Sequence, residues 1–167
     1  ALSTLERYAL VAFVSPNAID AALAARRDWP LDVSLAVVGE GSRAALARHG
    51  LTTDRCTIYY PRNTERTDSE TLLEVLDLTA LRGREVLIIR GETGRELLGD
   101  TLRTAGVKVT PVAAYRRRAP EWTAERRHDL QRLLDSQNDW IVTSSEALRF
   151  LAEMVARLGD VQGVAKM

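Results

Sequence analysis

Apolar residues fall along this chain in two alternating rhythms. Short runs that are apolar at every position alternate with longer segments whose apolar residues recur at helical spacing. The run at 11–14 (Val-Ala-Phe-Val) stops at Ser15-Pro16, and 17–26 then places Ile19, Ala22 and Leu23 on one face. Ser15 is a good N-cap, and Pro16 sits at the first helical position, where its missing N–H costs nothing. A strand is predicted at 35–38, followed by Gly39-Glu40-Gly41-Ser42 and a helix running to His49-Gly50, where Gly50 suits a left-handed C-cap. Residues 57–60 read as a strand, 62–69 as a polar loop, and 70–78 as a helix capped by Ser69. The run 86–89 is a further strand, followed by Gly91-Glu92-Thr93-Gly94 and a helix over 95–104 closed by Gly106. A last strand at 107–115 runs into Arg116-Arg117-Arg118-Ala119-Pro120. Strands apolar throughout and alternating with helices specify a parallel sheet covered on both faces. Residues from about 5 to 111 therefore read as one doubly wound α/β unit.

The pattern restarts after Pro120. An amphipathic helix is predicted over 123–136, with Trp122, Leu130, Leu133 and Leu134 as its apolar members. A strand at 140–142, a capping box at Thr143-Ser144-Ser145-Glu146 and a helix over 147–158 follow. So short a stretch with a single strand cannot close a core alone, so this second unit reads as incomplete. The stretch 11–19 also echoes 140–148, each a strand, a serine turn and a helix that opens on alanine and an aliphatic residue. Either the echo is coincidence or the chain is part of a two-domain protein. Residues 161–167 carry no clear period.

Composition narrows the function classes. The 167 residues suit one ordinary domain or two small ones, and 46% hydrophobic with 28% charged is a globular balance. With 23 basic and 23 acidic residues the formal charge is zero, which argues against nucleic-acid binding by phosphate neutralisation. No apolar run approaches the roughly 20 residues of a membrane span, and the N-terminus lacks the pattern of a secretory signal. Cys56 is the single cysteine, which excludes a disulfide framework and a cysteine-based zinc site. Lys108 and Lys166 are the only lysines, so the basic residues are almost all arginine. That bias reflects either codon usage or recognition of planar anions such as carboxylates.

Few side chains suit conventional catalysis. His49 falls at a helix C-terminus, where the dipole favours it, and His128 lies on a polar helix face. No metal-ligand spacing occurs. The run Gly91-Glu92-Thr93-Gly94-Arg95 lacks the Gly-Lys-Ser/Thr ending of a phosphate loop, and Gly39-x-Gly41 lacks the third glycine of a dinucleotide fingerprint. What remains is a set of helix N-termini after Val14, Val38, Ile89 and Val142, at the sheet edge where open α/β folds bind ligands. Their turns carry Ser15, Asn17, Ser42, Arg90, Arg95 and Ser144. Each serine has a plain capping role as well. Arg95, placed one turn into its helix, opposes the dipole and fits either a solvated face or a ligand carboxylate.

These motifs resemble one family. Phe13-Val14-Ser15-Pro16-Asn17-Ala18-Ile19, Val38-Gly39-Glu40-Gly41-Ser42, and Ile89-Arg90-Gly91-Glu92-x-Gly94-Arg95-Glu96-Leu97-Leu98 are similar to uroporphyrinogen-III synthase. So are Val112-x-x-Tyr115-Arg116-Arg117 and Thr143-Ser144-Ser145-Glu146-Ala147-Leu148, in order and over nearly the whole chain. The resemblance implies two doubly wound, flavodoxin-like domains joined by a two-strand connector, with substrate in the cleft between them. On that template residues 1–111 are a complete inserted α/β domain, 112–120 the connector, with a hinge at 116–120, and 121–167 part of the other domain. It also implies cyclisation of hydroxymethylbilane to uroporphyrinogen III with loss of water and inversion of ring D, through an azafulvene cation and a spiro intermediate. The substrate closes spontaneously to the wrong isomer, so the enzyme's main task would be geometric control. No cofactor is then needed, and no nucleic acid or membrane. A cytoplasmic monomer is expected. Substrate carboxylates are expected on Ser15, Asn17, Gly41, Ser42, Arg90, Gly91, Glu92, Gly94, Arg95, Ser144 and Ser145, with Tyr115 protonating or orienting the departing hydroxyl. The competing expectation is a non-catalytic two-lobed ligand-binding or regulatory module, which would bind without controlling the isomer.

Overall fold

Strand β1 (Leu10–Phe13) is buried at all four positions, because helices cover both faces of the sheet it centres. The computed structural model describes residues 1–62 and 68–162. A 3-10 turn at Leu2–Arg7 precedes β1, and Arg26 ties it down through the Leu2 carbonyl and the Glu6 carboxylate. Helix α1 (Pro16–Ala25) opens as its sequence dictates: Ser15 Oγ accepts from the Ala18 N–H at 3.3 Å, with proline in the first turn. Strand β2 (Ser34–Val37), α2 (Glu40–Arg48) and the two-residue β3 (Ile58–Tyr59) complete one half. Helices α3 (Ser69–Leu73) and α4 (Leu78–Leu81), β4 (Glu85–Gly91), α5 (Leu97–Thr104) and β5 (Lys108–Tyr115) build the other.

All five strands are parallel, in the order β3-β2-β1-β4-β5. The chain winds outward from β1 in one direction, then returns to place β4 on its other side, so the topological switch point lies between β1 and β4. Period-two alternation divides the core between the two faces. Val11, Phe13, Leu35, Val37, Leu87 and Ile89 pack against α1 and α2. Leu10, Ala12, Ala36, Val86 and Ile88 pack on the other side, under Leu72 of α3 and Leu98 and Leu102 of α5. Each such large side chain, removed from water, contributes roughly 1.5–3 kcal/mol before chain entropy is counted. The doubly wound α/β unit expected from the sequence is therefore present.

Three local expectations are corrected. The helix expected at 70–78, capped by Ser69, is instead two short helices, and its cap is Asp68, whose carboxylate accepts from the Thr71 N–H at 2.9 Å. The first helix ends at Leu73, and Asp77 caps a separate one after a turn, accepting from the Ala80 N–H at 3.0 Å. An aspartate that can bond its own backbone competes with helix continuation. The helix expected from Arg95 begins at Leu97, because Gly94 at φ +145° and the bond from Arg90 to its carbonyl hold the preceding residues as a loop. Arg95 therefore lies outside the helix, and the argument that it opposes a helix dipole falls. The loop expected at 62–69 lies mostly outside the described residues.

The contacts divide the chain into Ala1–Arg117 and Arg118–Met167. Residues 112–115, expected to open the connector, remain in the first unit's sheet as the end of β5. In the second unit α6 (Ala124–Asp135) is capped by Thr123, and α7 (Ser145–Gln162) starts where Ser144 Oγ accepts from the Ala147 N–H at 3.1 Å. Among its described residues, Leu130 and Leu158 are the buried apolar ones. The strand expected at 140–142 is not formed, and Ile141 is 91% exposed. A strand persists only where a neighbour takes its N–H and C=O groups, and among the described residues of this unit there is none.

Candidate functional site

The carboxyl ends of β1, β2 and β4 converge at the switch point, and the loops leaving them enclose a cavity of about 230 Å³. Val14, Val38 and Ile88 form its apolar walls, with Ser15, Arg90 and Tyr115 among its polar ones. A second, shallower hollow of about 290 Å³ shares Val14, Ser15 and Val38 and continues over Gly39, Gly41 and Ser42. Neither α2 nor α5 is capped at its N-terminus by a side chain. The hollows thus lie at first-turn backbone of both helices, where the dipole end favours anions.

Tyr115 reaches this place through an irregularity in the sheet. Arg90 pairs with Ala113 but Gly91 pairs with Tyr115, which leaves Ala114 as an extra residue in β5. A bulge shifts the alternation by one and re-aims the side chain that follows. Tyr115 accordingly packs on the same core face as Val112 and Ala114, the face carrying α1. Its hydroxyl shares a hydrogen bond with Ser15 Oγ at 3.0 Å and accepts from Arg117 Nη2 at 3.2 Å. The Arg117 guanidinium also lies 5.3 Å from the ring centre. Gly91 makes room for the ring: a Cβ there would sit 2.9 Å from Tyr115 Cζ and 3.1 Å from its hydroxyl. On the strand-pairing side, the Glu92 N–H donates to the Tyr115 carbonyl at 2.9 Å and fixes the backbone.

Four arginines line the cavity, Arg90, Arg95, Arg103 and Arg117. Arg90 is the most enclosed, its side chain only 11% exposed. It pairs with Glu96 and donates to the Gly94 carbonyl at 2.8 Å. A Cβ at Gly94 would approach that guanidinium to 3.2 Å, and its φ of +145° disfavours any side chain. Arg95 pairs with Glu70 at 2.9 Å and Arg103 with Asp100 at 2.9 Å. These half-exposed pairs contribute little to stability, on the order of 0–1 kcal/mol, so a ligand carboxylate can replace the protein carboxylate at small cost. Beside the second hollow, the hydrogen bond and charge of Glu40 hold the Arg43 guanidinium still more firmly protonated, with Tyr60 5.0 Å beneath it.

The structure brings together Ser15, Arg90, Gly91, Gly94, Arg95 and Tyr115 around the cavity at the switch point, and Gly41 and Ser42 around the second hollow. Asn17 and Glu92 line neither hollow; Asn17 is exposed in the first turn of α1, and Glu92 pairs with Arg116 at 3.8 Å. Ser144 and Ser145 belong to the second unit, at the start of α7. Sequence reasoning missed Arg103 and Arg117. Arg117 stands two residues beyond Tyr115, past the end of β5, so strand alternation gave no signal for it. Arg103 carried none, since only the packing of α5 turns it to the cavity. The described residues hold no cluster of three or more potential metal ligands.

Comparison with known proteins gives a consistent result. A family profile described as uroporphyrinogen-III synthase HemD matches residues 1–166. Uroporphyrinogen-III synthase of Escherichia coli is 39% identical over 91 residues, 54% of this chain and 35% of the relative. That of Salmonella typhimurium is 36% identical over 125 residues, 72% of this chain and 48% of the relative. The chain therefore matches half or less of these curated relatives' length. The crystal structure of uroporphyrinogen III synthase from Thermus thermophilus superposes with a TM-score of 0.55 at 20% identity, covering 92% of this chain and 59% of that one. At that identity the likeness concerns the fold.

Proposed function

The chain belongs to the uroporphyrinogen-III synthase family, and from that premise we propose that it serves the cyclisation of hydroxymethylbilane to uroporphyrinogen III. The observation that carries the reading is the bulge that turns Tyr115 onto Ser15, inside a cavity rimmed by arginines and helix-start amides. Such a surface suits a substrate with a carboxylate on every arm. At about 230 Å³ the cavity is smaller than the roughly 300–1,000 Å³ of a site that swallows a whole ligand. It is sized for the carboxylate arms and the reacting end of the substrate, with the remaining rings outside it.

The chemistry asked of side chains is modest. Departure of the terminal hydroxyl needs a proton, and ring D must then be presented to the resulting cation by its substituted carbon. Tyr115 would deliver the proton. Arg90, Arg95 and the amides of the loop 91–95 would hold carboxylates, and so fix which carbon attacks. Gly41 and Ser42 extend that grip toward α2, with Asn17 and Glu92 at its margin. Ser144 and Ser145 are proposed as donors from the second unit. Rate and isomer choice then both derive from orientation. A small-molecule substrate, a cytoplasmic location and a monomeric state belong to the same proposal. No described helix is long and apolar enough to cross a membrane.

The test is to supply hydroxymethylbilane to the protein expressed from its entire reading frame, and to separate the oxidised products by isomer. Isomer III in large excess supports the reading. Isomer I formed at the spontaneous rate refutes it, and binding without isomer control would mark a ligand-binding module instead.

A further inference from the structure

We propose that Arg117 is a positioning residue that acts through Tyr115, holding the phenol oxygen in an accepting geometry so that its proton faces the cavity. This rests on the reaction proposed above. In that reaction the hydroxymethyl C–O bond breaks with its electron pair on oxygen, and the oxygen takes one proton to leave as water. The cation left behind loses one proton once the macrocycle has closed. Tyr115 can give the first proton and take back the second, so the balance closes without an outside acid or base. Between the two events it is a phenolate.

The hydrogen bonds already present suit that cycle. A guanidinium can only donate, so the 3.2 Å bond from Arg117 Nη2 must be accepted by the Tyr115 oxygen. Ser15 Oγ accepts from the Ala18 N–H; in its 3.0 Å bond to the same phenol oxygen either hydroxyl can donate, and the proposal assigns that role to Ser15. With two donors on the phenol oxygen, its own proton is directed elsewhere, into the cavity that Tyr115 lines. When that proton leaves, the same two donors face an anion, and bonds to a charged acceptor are the stronger kind. The ring keeps the guanidinium near in both states, 5.3 Å from its centre. The end of the sheet and the segment that follows it produce the arrangement. The bulge at Ala114 brings Tyr115 to the α1 side, and Arg117, just past the end of β5, turns back onto the phenol.

The alternative is that Arg117 grips a substrate carboxylate directly. Steady-state kinetics on the protein from its entire reading frame separate the two, using Arg117→Ala, Arg117→Lys, Tyr115→Phe and the Tyr115→Phe/Arg117→Ala double variant. Arg117→Ala should lower kcat roughly ten- to a hundredfold, the scale of one hydrogen bond to a charged group, with KM unchanged. Arg117→Lys should recover part of the loss, because an ammonium still donates. The double variant should be no slower than Tyr115→Phe alone, since the phenol oxygen on which Arg117 acts is then gone. A raised KM with kcat preserved, or additive losses in the double variant, would overturn this inference alone. Absence of isomer control in the unaltered protein would overturn it together with the reading beneath it.

Discussion

Gly91→Ala is the sharpest perturbation the site offers, because it adds a single carbon at a place the backbone geometry defines. That carbon would lie 2.9 Å from Tyr115 Cζ and 3.1 Å from Cε2, about 0.6 Å inside the shortest comfortable carbon contact. Two movements can relieve the overlap. Shifting β4 would disturb ladders to β1 on one side and β5 on the other. Swinging Tyr115 outward breaks its bonds to Ser15 and Arg117, at about 1 kcal/mol for each net bond. The second route is the cheaper, and with residual overpacking the variant should lose about 1–3 kcal/mol. Urea unfolding measures this loss, and the isomer assay should show turnover no better than that of Tyr115→Phe. The companion variants make the test specific. Tyr115→Ala should restore stability lost to Gly91→Ala, whereas Tyr115→Phe should not, because phenylalanine keeps the Cζ and Cε2 that collide. If Gly91→Ala unfolds at the wild-type midpoint and turns over normally, the placement of Tyr115 against β4 is refuted.

Tyr115→Phe alone should slow turnover at the lower end of the roughly 10²–10⁴-fold expected for a lost general acid, since the substrate cyclises unaided; complete loss in a folded variant would contradict control by positioning. Arg90→Ala removes an enclosed guanidinium that holds both Glu96 and the Gly94 carbonyl. It should raise KM and cost about 1–3 kcal/mol in urea unfolding, and wild-type values of both would refute its double role. Burial pushes the Cys56 thiol above its ordinary value. A thiol raised in the folded state contributes stability that is complete below the ordinary thiol range and is lost as pH rises through the folded value. Cys56→Ser should therefore flatten the alkaline decline in unfolding midpoint, and native Cys56 should react with a disulfide reagent far more slowly than the unfolded chain; equal rates would refute the burial argument. Asp68→Ala should remove about 1 kcal/mol through loss of the α3 cap, whereas Ser69→Ala should be nearly neutral by the same unfolding measurement.

Much of the first unit could be read from the chain because local and global signals agree there. Ser15-Pro16 starts a helix by its own chemistry, and the buried strands are apolar at every position, as a doubly covered sheet requires. Failures came where two local rules competed. Asp68 and Ser69 are both good caps, and only the fold decides that Asp68 bonds Thr71. Asp77 lies inside an apolar helical period, yet it caps a second helix rather than continuing the first. At 140–142 the apolar run is as good as the one at 11–14, but without a neighbouring strand propensity alone cannot order it. Ser15, Gly91 and Tyr115 were legible as site residues through motif resemblance, but their contact was not. It depends on one surplus residue, Ala114, whose effect appears only when the register with β4 is known.

The central claim is that the carboxyl edge of the sheet, from Ser15 across the loop 91–95 to Tyr115, receives the carboxylate arms of a tetrapyrrole. The direct measurement is amide NMR of the labelled protein titrated with uroporphyrin III as a stable mimic of the product. Saturable shifts concentrated at Ser15, Gly41, Gly91, Gly94 and Tyr115, and lost on Arg90→Ala, are the result this account predicts. Shifts confined to the opposite edge of the sheet, near Gly83 and Lys108, or the same pattern with an uncharged porphyrin ester, would contradict it.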